Sequence, residues 1–297
     1  MTHPAEKIHT SVLLHECMEY LRPETGKLYV DGTLGLGGHT EKILQLSAPE
    51  GKVVAFDWDE NAIPKATERL QEFGDRLQVQ RRNFAEISEG LDSAGIDQID
   101  GMMIDVGLSS LQLDMGNRGF SFQRDEVLDM RMDSRREMTA GSILQNSTEE
   151  QLADIFFYYG EERQARPIAA AIVANRKIEK IETTKQLVGV VARAVPKRFH
   201  PKRIHVATKV FQALRIAVNT ELENLGKILD DGVRYLKPGA RFCVISFHSL
   251  EDRIVKRKFR GNDSLVVLTS KPISPTEEEI AANPRSRSAR LRVAEKK

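Results

Sequence analysis

Residues 31–40 read DGTLGLGGHT, and this stretch decides the class of fold. Four of its ten residues are glycine, and it follows the segment KLYV at 27–30, which is typical of a short buried strand. Glycine tolerates positive φ and lets a ligand approach the main chain. A strand that ends in a carboxylate, Asp31, and continues into a glycine loop therefore predicts a ligand site at the end of that strand.

Further apolar runs recur at a regular spacing after this loop. They read KVVAFD at 52–57, RLQVQ at 76–80 and IDGMMID at 99–105, with amphipathic segments such as HTEKILQLS between them. Strands that alternate with helices predict βαβ units and a parallel sheet. Right-handed crossovers then gather the loops at the carboxyl ends of the strands, where such sheets bind ligands.

The alternation stops after Asp105 and resumes only at ARFCVISF, residues 240–247. Between these two strands the apolar residues recur with helical periodicity. We therefore predict an α/β fold, namely a Rossmann-like sheet with an inserted, mostly helical domain. The sheet domain is expected to be discontinuous, at 1–114 and 206–297, and the insertion at 115–205 is expected to recognise the substrate.

The second part of the sheet domain is predicted to begin with one long helix, from about Val206 to Leu236. The turn KPGA and the strand at 240–247 follow it. LVVLTS at 265–270 and ARLRVA at 289–294 are predicted to form two final strands.

Three ligands are compatible with a loop of this composition. A P-loop needs Lys and then Ser or Thr after its last glycine, but Gly38 and His39 stand there. A dinucleotide fingerprint fits Gly35 and Gly37 but has Thr40 at the place of its third glycine. S-adenosylmethionine carries no phosphate, and its positive charges suit a nearby carboxylate such as the one that precedes the loop. The pattern favours S-adenosylmethionine over a dinucleotide.

Side chains that suit such a ligand follow the next three predicted strands. Asp57 can accept both ribose hydroxyls, Phe84 can cover the adenine, and Asp105 lies at the mouth of the site. Each also has a structural interpretation, because Asp57 could cap a helix, Phe84 could belong to the core and Asp105 could form a turn. Their joint placement after successive strands favours the ligand site.

The net charge of +1 conceals a segregation of charge along the chain. Residues 183–220 hold eight Lys or Arg and no acidic residue, and residues 283–297 hold six against one Glu. Such segregation predicts a polyanionic partner, although a solvated surface would look the same. The candidate RNA-binding residues are Lys197, Arg198, Lys202, Arg203, Arg285, Arg287, Arg290 and Arg292.

The remaining composition excludes several classes of protein. No apolar run approaches the roughly 20 residues of a membrane helix, so no membrane partner is expected. Two cysteines in 297 residues argue against a disulfide scaffold and suit the cytoplasm. No His/Cys cluster has the spacing of metal ligands, so no metal-binding residue is assigned and a metal requirement stays open.

Several long motifs resemble a known family. HTSVLLHE, DGTLGLGGHT, DVGLSSLQLD, FFYYGEERQARPIA, FQALRIAVNTELE and VISFHSLEDRIVK together resemble the RsmH (MraW) family of bacterial 16S rRNA cytosine-N4 methyltransferases. The resemblance implies methylation of the exocyclic amine of a cytidine in the decoding region of 16S rRNA, near the P site, with the small ribosomal subunit as partner. It also implies S-adenosylmethionine binding by Gly37, Gly38, His39, Asp57, Phe84, Asp105 and Gln112. The oligomeric state stays open between monomer and homodimer.

The chemistry of the cytosine amine points to one further role. Its lone pair is delocalised into the ring, so a site must hold the nitrogen with an acceptor while the methyl group is delivered. Asp105 is the candidate catalytic residue, and the sequence does not separate that role from a role on the donor. Methylation at C5 would need a cysteine nucleophile, for which Cys17 and Cys243 lie in unsuitable contexts. A nicotinamide oxidoreductase and a non-catalytic ribosome-assembly factor are the alternatives from other classes.

Overall fold

The computed structural model describes residues 11–107 and 117–297. Within these residues the chain forms a seven-stranded sheet in the order β3-β2-β1-β4-β5-β7-β6. The first five strands of this order are mutually parallel, and β7 pairs antiparallel with both β5 and β6. The predicted α/β class and the mostly parallel sheet are confirmed. The strands are β1 Leu28–Asp31, β2 Lys52–Asp57, β3 Leu77–Arg81, β4 Ile99–Asp105, β5 Leu236–Ser246, β6 Leu265–Val267 and β7 Arg290–Lys296.

Helices of the described residues connect these strands or build the insertion. None of them is long and apolar enough to cross a membrane. In chain order they are α1 Leu14–Leu21, α2 Gly38–Leu46, α3 Ala62–Arg69, α4 Ile87–Ser93, α5 Ala140–Asn146, α6 Glu149–Tyr158, α7 Ala165–Arg176, α8 Thr184–Ala194, α9 Thr208–Asn219, α10 Glu221–Tyr235, α11 Ser249–Arg260 and α12 Glu277–Ala282.

The sheet is buried on both faces, as its near-continuous apolar strands predict. Successive residues of β2 point to opposite faces, so Val53 and Ala55 pack in one core cluster and Val54 and Phe56 in the other. The first cluster includes side chains of α1, α2 and α3, and the second includes side chains of α4, α10 and α11. This double covering leaves the ends of the strands as the place for a ligand.

The described chain divides by packing into two compact units, 11–107 with 222–297 and 117–221. The second unit contains α5 to α9, three of which begin at a Thr whose side chain accepts from the main chain: Thr139, Thr148 and Thr183. The sequence placed the end of the insertion at residue 205. In the structure α9 packs with α5 and α6, so this unit extends to Glu221.

The single helix predicted from Val206 to Leu236 is wrong, because the chain breaks between α9 and α10. Thr220 adopts a left-handed conformation, with φ 50°. Asn219 is fully buried, and its amide donates to the Met130 carbonyl at 2.8 Å and accepts from the Met132 N–H at 2.8 Å. These bonds tie the end of α9 to the inserted unit, which explains why the helix ends there.

Candidate active site at the carboxyl ends of the strands

The carboxylate that precedes the glycine loop is occupied by the protein. Asp31 is fully buried, its Oδ2 accepts from the Thr40 hydroxyl at 2.6 Å, and its Oδ1 accepts from the Thr33 N–H at 3.0 Å. Asp31 therefore holds the two ends of the loop together. The expectation that the charge of this carboxylate favours a cationic ligand stays a prediction, and the structure adds that Asp31 fixes the loop.

The glycines of the loop fall into two groups. Gly37 has φ 84°, and a Cβ there would lie 2.8 Å from a Leu70 methyl group. A Cβ on Gly38 would lie 2.0 Å from the Ser11 hydroxyl oxygen. Gly35 has φ 53°, yet a Cβ there would meet only the Thr33 carbonyl at 3.9 Å. Gly37 and Gly38 thus pack against the protein, whereas Gly35 faces open space that a ligand can enter.

His39, which the resemblance assigns to the donor, turns its ring into the protein. The ring is buried, and Nε2 lies 3.0 Å from the Val12 carbonyl oxygen. Burial lowers the pKa of His39, so the ring is neutral and Nε2 carries the proton that it donates to Val12. His39 can therefore contact a ligand only through its main chain, at the start of α2. The contact between His39 and the donor stays a prediction.

Asp57 ends β2 and connects that strand to the loop. Its Oδ2 accepts from the Gly35 N–H at 2.8 Å, and its Oδ1 accepts from the Asp59 N–H at 2.9 Å. Burial raises the pKa of Asp57 to about 6. Asp57 does not cap α3, which begins after Asn61. The carboxylate is therefore held at the loop, where the sequence predicted that it meets the ribose.

Phe84 follows β3 in a 3₁₀ turn, Phe84–Glu86, that Asn83 caps. The ring is half-buried and packs at the margin of the core. A Cβ built on Gly32 would lie 3.2 Å from the Phe84 Cβ, so this residue adjoins the start of the glycine loop. Phe84 thus makes the core contact considered from the sequence and lies beside the loop, while its contact with the adenine stays a prediction.

Asp105 ends β4 next to the same loop. Its N–H donates to the Thr33 hydroxyl oxygen at 2.7 Å, while its enclosed Oδ1 has no hydrogen-bond partner among the described residues. Burial, together with the charges of Asp31 and Glu251, raises the pKa of Asp105 to about 8. A carboxyl group in this state suits a ligand that brings positive charge. Gln112, the remaining donor-site prediction, lies outside the described residues.

The sequence assigned no role to two residues that follow β5. Glu251 is fully buried, and its Oε2 accepts from the N–H groups of Phe247, at 2.8 Å, and His248, at 3.2 Å. Its Oε1 lies 3.0 Å from the Nε2 atom of His248. The sequence did hold a signal for them, because a His and a Glu follow a parallel strand there. This strand, β5, is the neighbour of β4, and Asp105 pairs with Ile245.

The basic residues of the C-terminal segment do not share one environment. Arg292 is buried, with its Nε and Nη2 donating to Asp252 at 2.6 and 3.1 Å, so the prediction that it binds RNA is wrong. The reason is that β7 lies between two strands, where a buried Arg needs a paired acid. Arg290 is exposed but also lies 3.3 Å from Asp252. Arg285 and Arg287 lie exposed in the 3₁₀ turn Pro284–Ser288.

The basic residues of the inserted unit form an exposed surface. The guanidinium of Arg198 lies 4.8 Å from the centre of the Phe199 ring, and Phe199 is 49% exposed. This mixture of cations and an accessible aromatic ring is typical of surfaces that bind single-stranded nucleic acid. We call it the basic surface, and its cations are Lys197, Arg198, Lys202 and Arg203.

Comparison with known proteins places these features in a family. The model of the MraW methylase family matches residues 6–297. A "Ribosomal RNA small subunit methyltransferase H" from Desulfotalea psychrophila is 71% identical over 292 residues, which cover 98% of this chain and 99% of that protein. A protein of the same name from Geotalea uraniireducens is 52% identical, with 97% and 98% covered.

Among solved structures, a protein assigned as an rRNA-methylase from Clostridium thermocellum has a similar fold. The TM-score is 0.50 at 13% identity, and the match covers 98% of this chain and all (100%) of that one. At this identity the similarity concerns the fold alone. It agrees with the α/β architecture described above.

Proposed function

This chain belongs to the MraW methylase family, and we propose that it methylates the exocyclic N4 amine of a cytidine in the decoding region of 16S rRNA. It is an S-adenosylmethionine-dependent methyltransferase of small-subunit ribosomal RNA. The observation that carries the proposal is the enclosed Asp105 Oδ1 at the end of β4 beside the glycine loop, which lacks a hydrogen-bond partner within 11–107 and 117–297. The proposed target is the RNA within the small ribosomal subunit, near the P site. The proposed place of the reaction is the cytoplasm.

The residues present fit a cationic donor. Asp57 and Asp105 both have raised pKa values because burial disfavours their charged forms, so a positive ligand would restore their charge. We assign Asp57 to the ribose hydroxyls, Phe84 to the adenine, and Asp105 to the charged end of the donor. When bound, S-adenosylmethionine supplies an electrophilic methyl group for in-line displacement. Gly35 leaves the space for it, and Gly37, Gly38 and the main chain of His39 line the start of α2.

The chain contributes alignment more than chemistry in such a transfer. Asp31 and Thr33 hold the loop and the Asp105 main chain together through bonds of 3.0 and 2.7 Å. The target base must leave its stack to reach an enclosed methyl group, and the cost of unstacking has to be offset by contacts with the protein. We assign the phosphate contacts to the basic surface, with Arg285 and Arg287 as further candidates.

Methylation at carbon C5 is disfavoured by the cysteines. Cys17 and Cys243 are both fully buried in the core of the sheet unit. The pKa of the Cys17 thiol is raised well above its usual value, mainly by a hydrogen bond with Cys243 and secondly by burial. This thiol therefore stays protonated. Neither sulfur can serve as a nucleophile toward a base, so the exocyclic amine is the favoured acceptor.

Transfer of labelled methyl groups tests the proposed function. The protein is incubated with labelled S-adenosylmethionine and naked 16S rRNA, assembled small subunits or DNA, and the nucleosides are then separated by chromatography and mass spectrometry. We expect N4-methylcytidine from RNA, most strongly from assembled subunits, and none from DNA. Label in 5-methylcytidine, or on no RNA at all while the donor binds, would contradict the proposal.

A further inference from the structure

Two polar atoms beside Asp105 are enclosed by the protein without a hydrogen-bond partner among the described residues. They are His248 Nε2 and Glu251 Oε1, which lie 3.0 Å apart but out of hydrogen-bond alignment. Leaving such an atom unpaired costs about 1–3 kcal/mol. Folded proteins retain these atoms where a ligand completes them.

The other polar atoms of the same side chains are fully used. His248 Nδ1 accepts from the Glu251 N–H at 3.4 Å, and Glu251 Oε2 accepts from the Phe247 and His248 N–H groups at 2.8 and 3.2 Å. Together they form a capping box at the start of α11. The box fixes both side chains and leaves one atom of each free to bind something else.

The choice of His as the cap is itself informative. Ser, Thr, Asp and Asn are the preferred caps, and this chain uses Thr for α5, α6 and α8. A Thr at 248 would cap α11 but would offer no second ring nitrogen. Because Nδ1 accepts a bond, the neutral ring carries its proton on Nε2. The pair therefore presents a donor, Nε2–H, next to an acceptor, Oε1.

This arrangement matches the Watson–Crick edge of cytosine, where the N4 amine donates and N3 accepts. Uracil presents the opposite pattern, with O4 as acceptor and N3–H as donor. The pair also follows the strand next to Asp105, because β5 is the neighbour of β4 and the Glu251 charge reaches the Asp105 carboxyl. Donor and base would thus meet between Asp105 and Glu251.

We propose that His248 and Glu251 recognise the target cytosine, with Nε2–H donating to N3 and Oε1 accepting from the N4 amine. The inference rests on the proposed function, since it specifies how the same site selects its base. Accepting one amine hydrogen also holds the nitrogen in place while its lone pair faces the methyl group. Selection against uracil then follows from unpaired or opposed polar groups rather than from shape.

The test compares two target nucleotides in the same RNA. Small subunits are reconstituted with 16S rRNA carrying either cytidine or 2-pyrimidinone riboside, which lacks the amine, at the methylated position. Binding to the protein, with the donor product present, is measured by competition. We expect the wild-type protein to prefer cytidine and Glu251→Gln to lose roughly 10- to 100-fold of that preference, the scale of one charged hydrogen bond.

Three further variants keep this test decisive. His248→Asn preserves a helix cap but removes Nε2, and both nucleotides carry N3, so we expect it to weaken the binding of both RNAs by a similar factor while its donor affinity and urea midpoint stay near wild type. Glu277→Gln removes an exposed acid from the first turn of α12 in the same unit and should change nothing. His248→Ala, which loses the cap as well, should unfold more easily than His248→Asn.

The outcomes separate the inference from the function on which it rests. If wild-type protein forms N4-methylcytidine, but Glu251→Gln keeps the wild-type preference for cytidine and His248→Asn keeps the wild-type RNA affinity, the inference is overturned and the function stands. If these variants lose donor affinity by the same factor as RNA affinity, their role is structural and the inference is again overturned. If wild-type protein forms no N4-methylcytidine, the proposed function fails first.

Discussion

Binding of S-adenosylmethionine should release about one proton per site at pH 7. The reason lies in two carboxyl groups, Asp105 and Asp57, whose pKa values the protein raises to about 8 and about 6. A positive ligand stabilises their ionised forms, so binding and deprotonation are linked. Proton release is a more direct readout of this environment than affinity, because it reports the charge state of the groups.

The size of the effect follows from the two pKa values. At pH 7 roughly nine-tenths of Asp105 and one-tenth of Asp57 carry a proton, which together make about one proton per site. At pH 9 both groups are already ionised, and the release falls to about 0.1. Donor affinity should accordingly rise with pH by about tenfold per unit between about pH 6 and pH 8 and level off above it.

Calorimetry in several buffers measures the proton count. The apparent enthalpy of donor binding is recorded at pH 7 in phosphate, HEPES and Tris, and its slope against the ionisation enthalpy of the buffer gives the number of protons. The α-amino group of the donor also titrates, with a pKa of about 8. Asp105→Asn supplies the control, because it has the same shape and no titrating carboxyl group.

The informative quantity is the difference between the two proteins. We expect the wild type to release about 0.9 proton more than Asp105→Asn at pH 7, and the difference to vanish near pH 9. Equal proton release by both proteins at pH 7 would refute the reasoning, since Asp105 would then be ionised before the donor arrives. If Asp105→Asn binds the donor and its apparent binding enthalpy has the wild-type slope against the ionisation enthalpy of the buffer, Asp105 does not belong to the donor site.

Three further predictions concern the other groups. Asp57→Ala should weaken donor binding by about 1.5–3 kcal/mol, the scale for a charged hydrogen-bond partner, and unchanged affinity in calorimetry would remove Asp57 from the site. Arg292→Met should lower the free energy of unfolding by up to about 3 kcal/mol in urea, because it removes the buried partner of Asp252 and leaves only the exposed Arg290 at 3.3 Å, with no effect on the salt dependence of RNA binding. The last variant replaces with Ala the four cations of the basic surface, Lys197, Arg198, Lys202 and Arg203. It should flatten the slope of log RNA affinity on log salt by about 0.7 per phosphate contact, whereas an unchanged slope would show that the surface only faces solvent.

The sequence predicted the sheet because its signals are local. Each of the strands β1 to β4 is an apolar run bounded by polar residues, so their ends could be located to within about two residues. Asp57, Phe84 and Asp105 could then be placed at one edge without knowledge of any contact. That they touch the donor stays a prediction, since position at a strand end does not show what a side chain meets.

The features that the sequence did not predict depend on distant partners. Arg292 reads as a cation in a basic tail, and only its pairing with Asp252, 40 residues away, shows that it is buried. Asn219 sits in an uninterrupted helical pattern, and its bonds to Met130 and Met132 are what end the helix. Periodicity describes which face of an element is apolar, but it carries no information about which polar residue another segment requires.

The acids at the active edge show how a fold can enclose several carboxyl groups and still be stable. Asp31 accepts three hydrogen bonds and Asp57 two from the loop or its flanks, and Glu251 accepts two at the start of α11. Among the described residues, Asp105 Oδ1 and Glu251 Oε1 are the enclosed carboxylate oxygens without an aligned partner. In the proposals above, the first faces a cationic donor and the second an amine, which are the reactants of a single methyl transfer. We therefore expect donor and RNA to stabilise each other on the enzyme: donor product should tighten RNA binding in the wild type, and this coupling should fall in Glu251→Gln.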